Sequence, residues 1–519
     1  MTDAETTLPA ANQGDSSFAS RWKGIFALKP GDVLLYRFCD GFAGVLIFLM
    51  VLFGPWAFGT TQPWSVAVMN AAGYVLGGLF LLKLFIRELK KYPAARWDVD
   101  ISGKRRYRRA RRLTFWLAWL TAFVLLFCLV SAVNASAVYN PDTRLFTYRH
   151  FISWLPHSLD GARSWAAFWM YLGLAASFWA VRDWLMGLTP VEERERRGVD
   201  VERQSSKLPA RLRWLLWLLC INGAVLGLEA IVQRASGSDK LLFLVQPRIN
   251  QDGESQFGSY AYRSNAAQYF NLLWPLCLGF WWTLRRRAGS RNKAQHLLLV
   301  CAAIMAACPI ISSSRASATV AAGMLLFALI FFAATGLAAI KNGERNHSSK
   351  GVAIGFSLFF GAALVLGWHY GWQALSARME HLSENYTNRD DMYEMAKPMA
   401  RDYPVFGTGP GTFGTVFQLY RIGDSTYWPE QLHNDWLETR ITFGWIGFNA
   451  LLLAFACVGL RWFASGGIYA GRRLVVLLWL SLAGCFAQAR FDFPFQVHSI
   501  VFLFLVICAM LFSVTQHRE

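Results

Sequence analysis

Charge is scarce in this sequence. Only 16% of its 519 residues are Asp, Glu, Lys or Arg, while 55% are hydrophobic; soluble domains carry about a quarter charged residues. A chain so poor in charge cannot cover a water-exposed surface of this size. Metal and disulfide signatures are missing too. The nine cysteines, at 39, 128, 220, 277, 301, 308, 457, 485 and 508, lie within or at the edge of apolar runs, and none forms a CxxC pair. Such cysteines behave as small hydrophobes. His150, His157, His296, His369, His381 and His498 are scattered without metal-ligand spacing. The sequence holds no GxSxG, no Walker-type loop, no DxD-like acid cluster in an outer loop, no internal repeat and no low-complexity tract. It offers no metal site and requires no cofactor. Residues 1–32 are polar, with Arg21, Lys23 and Lys29, and lack the pattern of a signal peptide. They are expected to form a cytoplasmic N-terminal tail.

What is present is a series of apolar runs of ~20 residues, each long enough to cross a bilayer. They are continuous rather than alternating, so helices are expected and not a barrel. The reading is an all-α polytopic membrane protein occupying residues 33–519, with about 12 transmembrane helices. They fall near 37–58, 64–86, 113–133, 164–187, 213–233, 264–284, 295–312, 316–340, 352–370, 440–462, 473–490 and 494–514. The formal charge of +18 gathers in alternate connections. One holds Arg87, Lys90, Lys91, Arg96 and the run 104–112. Others hold Arg194, Arg196, Arg197, Arg203, Lys207 and Arg211, or Arg285, Arg286, Arg287, Arg291 and Lys293. Lys341, Arg345, Lys350, Arg472 and Arg473 complete the set. Such alternation is an orientation signal that leaves both termini in the cytoplasm, with anionic membrane lipids as neighbours of the basic clusters. It argues against nucleic acid as a partner. Asp40 and Glu229 lie in or near spans one and five and are expected to pair with polar groups inside the bundle.

The exception to the apolar character is the stretch 389–449, most of it in a long connection, 371–439, between spans nine and ten. Pro404, Gly407, Gly409, Pro410, Gly411 and Gly414 give it fixed turns. These glycines read as tight turns and close packing rather than a nucleotide cradle. Asp390 and Asp391 read as caps of a helix starting at Met392. His433 follows, with Asn434, Asp435, Glu438 and Arg440. Arg263 stands at the head of span six. Arg315 stands at the head of span eight, in a short hairpin of small residues (Ser312, Ser313, Ser314, Ala316, Ser317, Ala318). By the loop charges Arg263, Arg315 and His433 share one membrane face. Each arginine is either an interfacial anchor or a ligand for an anion. A guanidinium fork matches a pair of phosphate oxygens, and a histidine accepts a proton near neutral pH. Two arginines and a histidine are the parts for displacing a diphosphate by an alcohol.

Four segments carry a resemblance: PWAFGTTQPWS (55–65); WLPHSLDGARSWAAFWMYLG (154–173) with WAVRDW (179–184); YRSNAAQYFNLLWPLCLG (262–279) with SSSRASATVAAG (312–323); and PVFGTGPGTFG (404–414) with HNDWLETRITFGWIGF (433–448). In this order they resemble the O-antigen ligase and O-antigen polymerase superfamily of bacterial inner-membrane glycosyltransferases. The resemblance implies a GT-C-like fold with one long, partly helical periplasmic loop. It implies an inverting transfer, without metal or nucleotide sugar, of a glycan from undecaprenyl diphosphate to a hydroxyl of lipid A core or of a growing polysaccharide. It assigns the diphosphate to Arg263, Arg315 and Arg389, and the acceptor hydroxyl to His433. One departure is Ser264, which intervenes before Asn265 in the first arginine motif and leaves its neighbouring contact open.

Ligase and polymerase, lipopolysaccharide and exopolysaccharide, are not separated by these residues, because only the acceptor differs. A lipid-linked oligosaccharide flippase would place its polar groups at mid-membrane in repeated halves. A noncatalytic scaffold would tolerate loss of Arg263, Arg315 and His433 together.

Overall fold

The computed structural model describes residues 27–94, 96, 105–187, 192, 208–287, 294–341, 347–380, 382–422, 428–465 and 472–514. Residues 1–26 of the expected tail lie outside it. So do Lys104, Arg194, Arg196, Arg197, Arg203, Lys207, Arg291, Lys293 and Arg345 of the basic clusters.

The long helices arise mostly from apolar runs. These are α1 (Pro30–Trp56), α2 (Pro63–Glu88), α3 (Arg105–Val133), α4 (Gly161–Leu185), α5 (Ala210–Ala235), α6 (Arg263–Arg287), α7 (Leu297–Ile311), α8 (Arg315–Lys341), α9 (His347–Glu380), α10 (Leu382–Asp402), α11 (Asp435–Ser465), α12 (Arg472–Gln488) and α13 (His498–Val514). A helix stands at every expected span position; α10 is additional. Pro30 and Pro63 open α1 and α2 at first-turn positions, where a missing N–H costs nothing. Among the described residues, nine helices are long and apolar enough to cross a membrane: α1 to α5, α7 to α9 and α11. The apolar helices α12 and α13 are shorter. The chain is a multi-pass helical membrane protein. One small antiparallel hairpin, β1 (Ala137–Asn140) with β2 (Leu145–Tyr148), interrupts the helices.

Burial sorts the helices. On α1, Leu34, Phe38, Phe42, Val45, Leu49 and Leu52 are exposed, while Tyr36, Cys39, Ala43, Ile47 and Met50 are buried. Both stripes have helical spacing, and both are apolar, as expected where one face meets protein and the other meets lipid. α6 is different, buried from Ser264 to Thr283, and packs on α7, α12 and α5. Its buried Ser264, Asn265, Gln268 and Asn271 are polar groups turned inward, which a helix at the bundle's centre can partner and a lipid-facing helix cannot.

Of the two acids expected to pair, Asp40 does. It accepts from Lys83 Nζ at 2.6 Å and from Arg211, and Lys83 also meets Asp183 at 2.7 Å. Arg87 and Arg96 reach the same Asp183. This buried ion cluster ties α1, α2, α4 and α5 together at the end of α2 remote from Pro63, about 30 Å along the helix. Among the described residues, neither carboxylate oxygen of Glu229 has a hydrogen-bond partner. The Asp390–Asp391 expectation is overturned. Both lie inside α10, two turns past its start, because the polar run from Leu382 is itself helical. Residues 371–380 likewise continue α9.

Candidate active site

His433 is positioned by a backbone clamp. α11 breaks at Gly444 (φ 60°, ψ −170°). There the carbonyls of Ile441 and Thr442 lose their helical partners and accept instead from Thr408 N at 2.9 Å and Gly409 N at 3.0 Å. In return Trp445 N donates to Pro404 O at 2.9 Å, and Ile446 N to Val405 O at 3.2 Å. The glycines make this approach possible. A Cβ on Gly407 (φ 76°) would stand 2.5 Å from Gly444 N and Ile441 O, and one on Gly444 would overlap Val405 O. The loop's amides are therefore engaged with protein, in line with the close-packing reading of its sequence. Thr408 O also accepts from Leu159 N at 2.9 Å, and Pro410 O from Ser164 Oγ at 2.9 Å, which fastens the loop to the start of α4.

Asn434 caps α11, its side chain accepting from Leu437 N at 3.2 Å. His433 precedes the cap with φ 58°, a left-handed conformation uncommon outside glycine. Its carbonyl accepts from Tyr393 Oη at 2.8 Å. Its ring stands edge-on to Phe493, centroids 4.8 Å apart. Its Nδ1 lies 3.1 Å from Asp492 Oδ1.

Asp492 sits in the turn between α12 and α13 and is 2% exposed. Besides His433 it accepts from Ser264 Oγ, from Tyr262 Oη at 3.4 Å and from Phe493 N at 3.1 Å. Burial pushes its pKa up. The hydrogen bond and charge of His433, the charge of Arg389 and the Ser264 hydroxyl outweigh that and hold the carboxyl below its ordinary range. The contact left open by Ser264 in the sequence is thus to Asp492.

Arg389, on α10, joins the same network. Its Nη1 donates to Phe491 O at 2.9 Å and its Nη2 to Tyr262 Oη at 3.4 Å. Burial acts to lower its pKa, and Tyr262 and Asp492 more than offset this, so it remains charged. Arg315 stands within electrostatic range of Arg389 and Tyr262 and donates to Arg378 O at 3.2 Å. Arg263 is less closely joined. Its Nη1 donates to Glu254 O at 2.6 Å, which ties down the preceding loop. Under Asp492 lies a buried set of hydroxyls. Ser314 Oγ is 3.1 Å from Ser264 Oγ and 3.0 Å from Ser317 Oγ, and Gln488 Nε2 donates to Ser264 and Ser317 at 3.1 and 2.9 Å. The structure thus gathers Arg389 and His433 around Asp492, with Arg315 in electrostatic range of Arg389 and Tyr262, and Arg263 next in sequence to Tyr262 and Ser264. Asp492, Tyr262, Tyr393 and Gln488 are additions. The available signal was an acid in the sequence RFDFPF, in a short connection between two apolar runs.

Residues 263–452 match the family described as O-antigen ligase. The match supports a place in the O-antigen ligase/polymerase superfamily. The matched segment begins at Arg263, contains Arg315, Arg389 and His433, and ends before Asp492. A comparison with curated proteins gave no match. An O-antigen ligase or polymerase handles lipid-linked glycan and polysaccharide. A membrane-embedded glycosyltransferase of that general type accounts for a helical bundle whose polar site stands at the heads of α6, α8 and α11.

Proposed function

We propose that this protein transfers a glycan from undecaprenyl diphosphate to a hydroxyl of an acceptor, lipid A core or a growing polysaccharide, at the periplasmic face of the bacterial inner membrane. The observation that carries the reading is the His433–Asp492 pair beside Arg389 and Arg315. Asp492 takes up Nδ1 and orients the ring, leaving Nε2 for the acceptor hydroxyl. As the acceptor oxygen bonds to the anomeric carbon, its proton passes to Nε2. The bond from that carbon to the phosphate oxygen breaks with its electron pair on the leaving diphosphate. Attack opposite the leaving group inverts the anomeric centre. Arg315, Arg389 and Arg263 bind the diphosphate. The positive dipole ends of α6 and α8 reinforce them. In this reading guanidinium supplies the positive charge, so the reaction is metal-independent.

The hydrocarbon side of the substrate has its own support. A largely apolar cavity of about 280 Å³ lies among α3, α4, α11, α12 and α13, with Asp435 and Gln496 among its lining residues. Asp435 N donates to Ala489 O at 2.9 Å, in the turn that carries Asp492. A cavity of that size suits a chain segment rather than a polar headgroup. The alternation of Lys and Arg along the sequence supports twelve spans, and the family resemblance a GT-C-like membrane domain. The alternation also supports cytoplasmic termini, and 371–439 as the large periplasmic connection between spans nine and ten, its first ten residues being the end of α9.

The test is glycan transfer in cells lacking the endogenous enzyme, with Arg315→Ala and His433→Ala at matched expression. Surface polysaccharide and lipid-linked precursor are both quantified. Transfer should fall about 10²- to 10⁴-fold for His433→Ala and about 10²- to 10³-fold for Arg315→Ala, with precursor accumulating at the periplasmic face. Normal transfer by both variants would refute the site. Precursor held at the cytoplasmic face would indicate a flippase. The product's size distribution separates ligase from polymerase.

A further inference from the structure

A second cluster of polar aromatic groups stands away from His433. The hairpin register opposes Tyr139 to Phe146 and Ala137 to Tyr148. Opposed residues, and residues two apart, share one face of a ladder. Tyr139, Phe146 and Tyr148 therefore lie on the same face, the first two with ring centroids 5.1 Å apart. Tyr148 is 74% exposed. It is within electrostatic range of Tyr403, which shares a hydrogen bond with Tyr420. Tyr420 Oη in turn donates to Asp402 Oδ2 at 2.6 Å.

Exposed aromatics on a membrane protein usually belong to the interfacial belt. This cluster gathers instead at the end of α10, a polar helix that is not among the membrane-crossing candidates. Flat rings with hydroxyl edges, beside a carboxylate, suit a ligand that presents C–H faces and hydroxyls together. Sugars have that chemistry. The rings also cost little ordering entropy to use. α10 supplies the ruler. Arg389 and Asp402 are thirteen residues apart on it, about 20 Å at 1.5 Å per residue. That is the reach of an oligosaccharide and beyond that of one sugar.

We infer that Tyr148, Tyr403, Tyr420 and Asp402 form a glycan-binding subsite that holds the lipid-linked donor several sugars out from its diphosphate. This rests on the proposed transfer reaction, and it makes the enzyme sensitive to glycan length. The experiment uses the full chain in lipid nanodiscs and two undecaprenyl-diphosphate donors, one bearing a single sugar and one the full oligosaccharide. Tyr148→Ala and Tyr420→Ala should raise KM for the long donor about tenfold, the effect of one lost aromatic or hydroxyl contact. The kcat, and all values for the short donor, should stay unchanged. Tyr148→Phe should retain most of the affinity. In parallel, the oligosaccharide freed of its diphosphate is titrated by calorimetry. Tyr148→Ala should weaken it about tenfold, and Arg389→Ala should leave it unchanged. If Tyr148→Ala and Tyr420→Ala treat both donors as wild type does while His433→Ala abolishes transfer, the subsite is wrong and the reaction stands. If wild type transfers neither donor, the reaction is wrong. The titration then decides the subsite alone, and absence of binding overturns it.

Discussion

Asp492 has one carboxylate and four hydrogen-bond donors around it: His433, Ser264, Tyr262 and the amide of Phe493. Asp492→Asn would keep the shape and lose the charge that favours the proton-accepting role of His433. Its kcat should fall about a hundredfold with KM little changed. The same substitution has a pH signature. The Asp492 pKa is lower folded than unfolded, so its contribution to stability is complete above the unfolded value, about 3.9. It fades as pH falls through the folded value. The melting temperature of wild type in detergent should exceed that of Asp492→Asn from pH 7 down to about pH 5. The margin should shrink below about pH 4. A constant margin down to pH 3 would refute the assignment. Of these residues the arginines and His433 could be read from the chain, because a charged group at the head of an apolar run is conspicuous. Asp492 could not. It falls in a turn so short that the sequence showed only a connection between spans, and its partners lie far away along the chain.

At the level of elements, the clamp between the 404–411 loop and α11 is held by glycines with positive φ. Gly407→Ala meets backbone on every side and should cost about 1–3 kcal/mol, lowering both the melting temperature and kcat, since the clamp precedes the turn that orients His433. Gly323 of α8 has nothing within 4 Å of an added Cβ. Gly323→Ala should therefore be neutral or stabilising by up to about 1 kcal/mol, with unchanged transfer. Circular dichroism melts and single-turnover transfer on both variants check the pair. The turns themselves were legible from Pro and Gly spacing. What they turn toward was not, because the exchange of carbonyl partners at Gly444 joins residues more than thirty apart. Asp390 and Asp391 show the opposite failure. A local capping rule suggested a start, but a polar helix was already under way.

Across the whole molecule, the bundle is fastened at both ends by different means. The end bearing His433 uses hydroxyls, amides and one His–Asp pair. The other uses Lys83 between Asp40 and Asp183. Removing one partner of a buried ion pair typically costs about 3–5 kcal/mol, so Lys83→Met should lower the melting temperature sharply. The fraction that remains folded should still transfer glycan at the wild-type rate. A stable but inactive Lys83→Met would instead tie the cluster to the reaction. The helical architecture was legible throughout, since apolar runs of this length have few alternatives. The all-round burial of α6 was not, because its polar residues made it look the least membrane-like of the spans.

The tip of α12 divides two environments. Phe486 lines the apolar cavity on one side, and two residues later Gln488 binds the serine hydroxyls on the other. That tip is a watershed: under the proposed reaction, the donor's chain belongs on the Phe486 slope and its diphosphate on the far side, toward Arg315 and Arg389.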